Sequence, residues 1–223
     1  MNIDWQNPSP KQLPSEGYGV FKEEDKNNIY NLLGAGEAKL PILLFVENPD
    51  TKFEADNLKI KDVILRDERV MIGTKFFKRY RMDWNAVNEK LAKILGDEKN
   101  PSFFVFNTDG KLEGKVSDRY SPGKVAELMA ASVKQEFKTN LSDTIKRIQN
   151  LLSKIDKLSD RIKAAETAAR KDTLSESQQE LAKTRLELLR SEGADLAKQM
   201  KEHFANAMKR EEKKPTKVAD AKK

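Results

Sequence analysis

The stretch that follows Pro101 constrains the fold of this chain more than any other. Residues 103–106 read Phe-Phe-Val-Phe and come directly after Pro101 and Ser102, so they predict a short strand that is buried on both faces. Asp109 and Gly110 come next, a pair that suits a tight turn because glycine tolerates positive φ. Residues 112–116 then alternate small or apolar side chains with charged ones. The stretch therefore predicts a β-hairpin.

Helices and strands alternate on both sides of this hairpin. The segment before it predicts a helix over 23–33, a central strand over 40–46, a short helix over 67–73, a strand over 75–82 and a helix over 84–95 capped by Asp83. Residues 59–67 fit a helix and a loop equally well. After the hairpin, Ser121 and Pro122 are typical of an N-cap and a first helical residue, and the apolar spacing continues this helix to Phe137. An α/β fold is expected.

Beyond Phe137 the apolar residues recur with a period of seven. The first run extends from Leu141 to Ala169, and a capping box at 173–176 begins a second run with the same spacing. Two heptad helices joined by a short turn must lie antiparallel, so we predict an antiparallel α-helical hairpin, a coiled coil. Its seam is expected to contain Ile148, Leu151, Ile155, Leu158, Ile162, Leu186, Leu189, Leu196 and Met200. Leu152, Leu181 and Leu188 should remain partly exposed beside it.

The composition places the charge and the expected boundaries. Hydrophobic residues make up 38% of the chain and charged residues 35%, which is low for a single compact core, and the net charge of +6 comes from the part beyond residue 137. The predicted divisions are an N-terminal arm over 1–20, an α/β domain over 21–137, the helical hairpin over 138–212 and a disordered basic tail over 213–223.

Residue types limit the chemistry of the chain. It contains no cysteine and one histidine, His203, which removes thiolate nucleophiles and thiolate zinc sites and argues against histidine-based catalysis. We expect no cofactor and no metal. Asp50 and Lys52 leave acid–base chemistry open as an alternative, but the sequence favours a protein without catalysis.

From residue 23 to 137 the chain resembles the thioredoxin-like superfamily. The resemblance rests on the strand over 42–46, the turn Asp67-Glu68-Arg69-Val70, the strand over 77–83 and the hairpin after Pro101. It implies a cis bond between Asn100 and Pro101. The family's Cys-x-x-Cys position falls on residues 50–53, which have no cysteine, so the resemblance implies a thioredoxin-like fold without redox activity. The peptide groove that it implies would contain Asn48, Asp50, Thr51, Lys52, Phe53, Asn100 and Pro101.

These expectations favour a non-catalytic protein-binding, chaperone or scaffold module with a coiled-coil interaction arm. A protein partner is expected, and the hairpin can also form a homo-oligomer. One alternative is a nucleic-acid or ribosome-associated protein that uses the basic C-terminal helices, although aromatic residues are scarce there. Another alternative is a thioredoxin-fold enzyme with non-thiol chemistry. Because no apolar run approaches the ~20 residues that span a bilayer, we expect no membrane partner and a cytoplasmic location, or an exported protein if a signal peptide was removed.

Overall fold

The structure is a computed structural model that describes residues 3–8, 28–35, 40–96, 99–170 and 175–209. It has a mixed α/β body with a four-stranded sheet in the order β2-β1-β3-β4. The strands are β1 (Ile42–Glu47), β2 (Lys78–Asp83), β3 (Ser102–Phe106) and β4 (Leu112–Val116). β1 and β2 are parallel, whereas β3 is antiparallel to both β1 and β4.

Seven α-helices accompany the sheet in the part of the chain that the structure describes. They are α1 (Ile29–Leu32), α2 (Glu54–Lys59), α3 (Glu68–Gly73), α4 (Glu89–Leu95), α5 (Pro122–Phe137), α6 (Leu141–Ala169) and α7 (Glu176–Ala207). A 3-10 turn over Thr51–Phe53 precedes α2 and a π-helical turn over Ile60–Ile64 follows it. The segment that fitted helix and loop equally is therefore mostly helical.

The two faces of the sheet carry separate apolar clusters. Leu43 and Phe45 of β1 face the cluster that includes α3, α5 and the two long helices. Ile42, Leu44 and Val46 face the other cluster, which includes α1 and α4. Every residue of β3 is buried, as the run after Pro101 predicted. Burial on both faces explains why these two strands are continuous apolar runs.

The hairpin of β3 and β4 forms as predicted, but the bond before it does not. Gly110 has a φ of 81° in the turn, which is the conformation that glycine was expected to supply. The Asn100–Pro101 bond is trans, as is every other peptide bond of the described residues. The cis prediction is therefore wrong. Trans is the preferred form of an X-Pro bond, and here the carbonyls on either side of it bind Trp84 and Tyr120.

Two predicted elements differ at their starts. The helix expected over 84–95 is a 3-10 turn, Trp84–Ala86, capped by Asp83, followed by α4, which begins after a second cap at Asn88. The Asn88 side chain accepts a hydrogen bond from the Leu91 amide at 2.9 Å, so the chain leaves the helical conformation between the two caps. Similarly, a 3-10 turn over Thr74–Phe76 precedes the second strand, which begins at Lys78.

The two long helices begin at local signals and pack along each other. α5 ends at Phe137 with Lys138 as its C-cap, and Asn140 caps α6 by accepting a hydrogen bond from the amide of Ser142. Arg161 of α6 pairs with Glu192 of α7 at 3.4 Å, and Glu166 pairs with Arg190 at 3.0 Å. At the other end, the Thr139 hydroxyl donates to the Ala207 carbonyl at 2.7 Å. The end of α7 therefore lies beside the start of α6.

One apolar cluster joins the body to these helices. It continues from Phe45 through α5 to Leu158, Leu189 and Leu196, and the Phe76 ring lies 5.9 Å from that of Phe204 at the end of α7. At the other edge of the sheet, Gln6 bridges to Tyr80 of β2. The boundary at residue 137 stays a prediction. The basic tail over 213–223, most of the N-terminal arm and the turn over 171–174 lie outside the described residues.

Candidate functional site at the carboxyl end of strand β1

Asn48 ties together two of the segments predicted to bind a peptide. It follows β1 and is buried, and its side-chain amide donates to the Lys99 carbonyl at 2.5 Å. Its side-chain oxygen accepts from the Asp50 amide at 2.9 Å. The loop after β1 and the segment before Pro101 therefore lie side by side, as the predicted groove requires.

Residues 50–53 form a largely exposed turn in which the charges of Asp50 and Lys52 pair with each other. The Asp50 carboxylate accepts a hydrogen bond from the Lys52 amide at 3.1 Å and also pairs with the Lys52 ammonium at 3.4 Å. The backbone hydrogen bond is the main reason that the pKa of Asp50 is lowered. The Lys52 ammonium lies 4.9 Å above the ring of Phe53. Asp50, Thr51 and Lys52 are exposed and Phe53 is half-buried, so a partner can reach this turn.

The backbone beside Pro101 is already occupied by internal donors. The Asn100 carbonyl accepts from Trp84 Nε1 and from Ser102 Oγ, both at 2.8 Å. The buried Pro101 carbonyl accepts from the Tyr120 hydroxyl at 2.5 Å. Recognition by strand addition relies on main-chain groups that are free to pair. A peptide would have to share these two carbonyls with Trp84 and Tyr120, and the peptide groove stays a prediction.

Sequence reasoning missed the residues that hold this site in place. Asn57 of α2 donates to the Asn48 carbonyl at 2.5 Å, and Trp84 and Tyr120 bind the carbonyls of Asn100 and Pro101. Trp84 was interpreted as part of a helix, although its place directly after β2 puts it at the same sheet edge as Asn48. The position of Trp84 after a strand could have indicated its place in the site, whereas nothing in the sequence linked Tyr120 to Pro101.

A partly exposed ion cluster lies at the same edge of the sheet. Arg81 of β2 donates to both carboxylate oxygens of Glu47, at 2.9 and 3.0 Å, and Lys61 lies 3.0 Å from the same carboxylate. Partial burial acts to raise the pKa of Glu47, but the hydrogen bonds from Arg81 and Lys61 outweigh it and the pKa is lowered. One carboxylate and two cations leave the cluster with a net charge of +1, and its ion pairs join β1, β2 and the π-helical turn beside the loop.

A metal site needs several ligand side chains that lie close together. Among the residues that the structure describes, no three His, Asp or Glu side chains lie together as metal ligands. His203 is half-buried on α7, far along the chain from this loop. Burial raises the pKa of Tyr120, so its hydroxyl remains a hydrogen-bond donor to the Pro101 carbonyl.

A second candidate surface lies on the long helices. The residues predicted for the coiled-coil seam differ in burial: Ile148, Leu151, Leu158, Leu189 and Leu196 are buried, and Ile155, Ile162, Leu186 and Met200 are half-buried. Leu181 and Leu188 of α7 are 69% and 67% exposed, and Leu152 is half-buried. Two leucines seven residues apart lie on one face of a helix, so α7 presents an apolar stripe to solvent.

Comparisons with known proteins identify no family. No family model and no curated protein matches the sequence. Among solved structures, one similar chain is a thioredoxin-fold protein from Helicobacter pylori, at 15% identity and a TM-score of 0.36. The match covers 50% of this chain and 83% of that one. None of the described helices is both long and apolar enough to cross a membrane.

Proposed function

We propose that the protein is a non-catalytic binding module, in which a thioredoxin-like body without redox activity carries an antiparallel coiled-coil arm. The absence of cysteine from the sequence supports the inactive part of this proposal, because thiol–disulfide exchange requires sulfur. The sheet order and the helices on both of its faces support the thioredoxin-like part. The ion pairs between α6 and α7 support the coiled-coil arm.

One observation carries the binding function: the exposed pair Leu181 and Leu188. Burying a leucine side chain contributes roughly 1.5–3 kcal/mol, and both of these leucines face water over two thirds of their surface. Ala164 and Ala168 of α6 are exposed as well. Ala164 lies in the stretch of α6 that pairs with residues 190–192, and Ala168 lies one turn further toward the end of that helix, so all four apolar side chains belong to the outer half of the arm. Exposed apolar surface of this kind is typical of a protein interface.

The partner that the stripe fits best is a second copy of this chain. The stripe has a leucine at each end and Thr184 and Arg185 between them. The same patch on two copies can face itself around a two-fold axis, which is the commonest symmetry of soluble dimers. Two leucines and two alanines are a small contact compared with the roughly 800 Å² per partner of a standard interface. The self-association is therefore expected to be weak and reversible.

Sedimentation velocity of the full chain over a range of concentrations tests this proposal. Leu181→Glu with Leu188→Glu should keep the protein monomeric at concentrations where the wild type associates. The body offers a matched control, because Leu58 and Val63 are 53% and 51% exposed and Leu58→Glu with Val63→Glu adds the same charge. Association that persists in the arm variant, or that is lost equally in both variants, contradicts the proposal.

A second candidate function has one observation in its favour. Arg147, Lys154 and Arg161 recur every seven residues on α6, and Lys157 lies between them. All four are exposed, so they form a basic row that can contact phosphates. Arg161 is already paired with Glu192, which weakens the row. Heparin chromatography of the wild type and of Lys154→Gln with Lys157→Gln tests this candidate. Elution of both proteins at the same low salt concentration would argue against nucleic-acid binding.

A further inference from the structure

A β-bulge turns Glu113 toward helix α5. Val105 pairs with Gly114 and Phe106 pairs with Leu112, so Glu113 is the extra residue of β4. A bulge of this kind redirects a side chain and is often found next to functional sites. Glu113 interacts with Ser132 and Glu136, which lie one turn apart on α5. An edge strand and a helix therefore meet at a carboxylate.

The side-chain oxygens of Glu113 and Ser132 have too few hydrogens between them to form hydrogen bonds for all three. Both oxygens of Glu113 and the hydroxyl oxygen of Ser132 are buried, and none of these three atoms has a hydrogen-bond partner. Ser132 is 1% exposed. Its hydroxyl is close enough to lower the pKa of Glu113, yet no aligned hydrogen bond joins the two side chains. An ionised carboxylate is an acceptor only, so the hydroxyl hydrogen is shared among three oxygens.

A second carboxylate, that of Glu136, lies near Glu113 and makes the ionised form of Glu113 less favourable. Glu136 accepts from the Thr108 amide at 2.9 Å and from the Thr108 hydroxyl at 2.9 and 3.1 Å, and so ties α5 to the turn of the hairpin. Its negative charge faces Glu113. β3, the strand next to β4, contributes no charged residue. Burial is the main cause that raises the pKa of Glu113, the charge of Glu136 raises it further, and Ser132 opposes both.

We propose that Glu113 is a proton-operated latch between strand β4 and helix α5. A proton on Glu113 supplies the second hydrogen that the three buried oxygens need and removes the repulsion from Glu136. Loss of this proton leaves a charge without a partner beneath the helix. β4 lies at the edge of the sheet and pairs only with β3 among the described strands, so it is the strand that should loosen when the latch opens.

The direction of the pH dependence follows from linkage. The folded protein holds the Glu113 proton more tightly than an unfolded chain, in which the pKa is near 4.5. The contact of β4 with α5 is therefore strongest below 4.5 and weakens as the pH rises through the raised pKa of the folded state. Because one proton is involved, local opening can change by at most about tenfold per pH unit.

Amide hydrogen exchange of the full chain tests the latch. Protection of residues 112–116, corrected for intrinsic exchange rates and referred to β1, should fall between pH 4.5 and 8 in the wild type. Glu113→Gln should remove this slope, because the amide supplies hydrogens at every pH. Glu127→Gln is the matched control, since Glu127 is exposed on the same helix, and it should keep the wild-type slope.

Two further variants separate the latch from a merely structural role. Glu136→Gln keeps an acceptor for Thr108 but removes the repulsion, so the midpoint should move to lower pH. Ser132→Ala removes the hydroxyl hydrogen, so the midpoint should move to higher pH. Midpoint shifts in these opposite directions support the proposal, and they can be measured even if Glu113→Gln does not fold. A wild type without the slope, a slope that persists in Glu113→Gln, or unmoved midpoints would overturn it.

Discussion

Lys138 shows how one residue ends a helix at a conformational cost. It has a φ of 56°, and its amide donates to the Lys134 carbonyl at 3.1 Å as the helix α5 closes. A left-handed conformation costs a non-glycine residue about 1–2 kcal/mol, whereas glycine adopts it freely. The α5–α6 junction therefore contains strain that a substitution can relieve.

Lys138→Gly is expected to raise the free energy of unfolding by about 0.5–1 kcal/mol, because the removed strain exceeds the added freedom of the unfolded chain. Urea denaturation of the full chain measures this change. Lys134→Gly is the control: it lies within the last turn of the helix and should lower stability by about 1 kcal/mol. Equal losses in both variants would contradict the strain at Lys138.

Glu47 should give the opposite pH signature to Glu113. Its folded-state pKa is lowered below the ordinary 4.5 by Arg81 and Lys61 despite its partial burial. The ion cluster therefore stabilises the protein fully above pH 4.5 and loses this effect as the pH falls through the lowered pKa.

We expect Glu47→Gln to lower the free energy of unfolding by about 1–2 kcal/mol at pH 7, and by progressively less below pH 4.5. Urea denaturation across this pH range is the measurement. Glu54→Gln changes an exposed carboxylate nearby and should have little effect at either pH. A Glu47→Gln difference that does not depend on pH would argue against the cluster.

At the scale of elements, the sequence predicted the turns and caps that depend on interactions between neighbouring residues. The turn at Asp109 and Gly110 and the caps Ser121 and Asp83 were predictable because each acts within a few residues. The hydrogen bonds of the Asn100 and Pro101 carbonyls were not predictable, because only the fold brings Trp84 and Tyr120 to them. The break before α4 was missed because Asn88 competes with a continuous helix.

Trp84→Phe tests the support of the proline segment. It removes the donor to the Asn100 carbonyl while keeping an aromatic ring, and we expect a loss of about 1–2 kcal/mol in the free energy of unfolding. Trp5→Phe is the matched control, because Trp5 is half-buried and packs on Phe45 at a centroid distance of 6.2 Å. Thermal or urea denaturation that ranks the two variants equally would contradict a structural role for the indole N–H.

At the scale of the whole molecule, the heptad pattern predicted the two long helices but not their attachment. The spacing of apolar residues specifies which face of a helix is covered, so the buried Leu158, Leu189 and Leu196 follow from it. The contact of Phe204 with Phe76 links segments more than a hundred residues apart, and no local pattern reports it. The candidate binding surfaces were located by sequence, whereas their internal hydrogen bonds required the fold.

Disulfide trapping tests the proposed self-association most directly, because the chain contains no cysteine of its own. Thr184 lies between Leu181 and Leu188, where a residue near a two-fold axis meets its own copy. Thr184→Cys should therefore form a covalent dimer under mild oxidation, and Leu181→Glu with Leu188→Glu in the same chain should slow the reaction. Ser153→Cys on α6 is the control, since Ser153 is exposed and lies about three turns before Ala164 along the helix. Faster trapping at residue 184 than at residue 153 is the predicted result, and equal rates at the two positions would contradict an interface on this stripe.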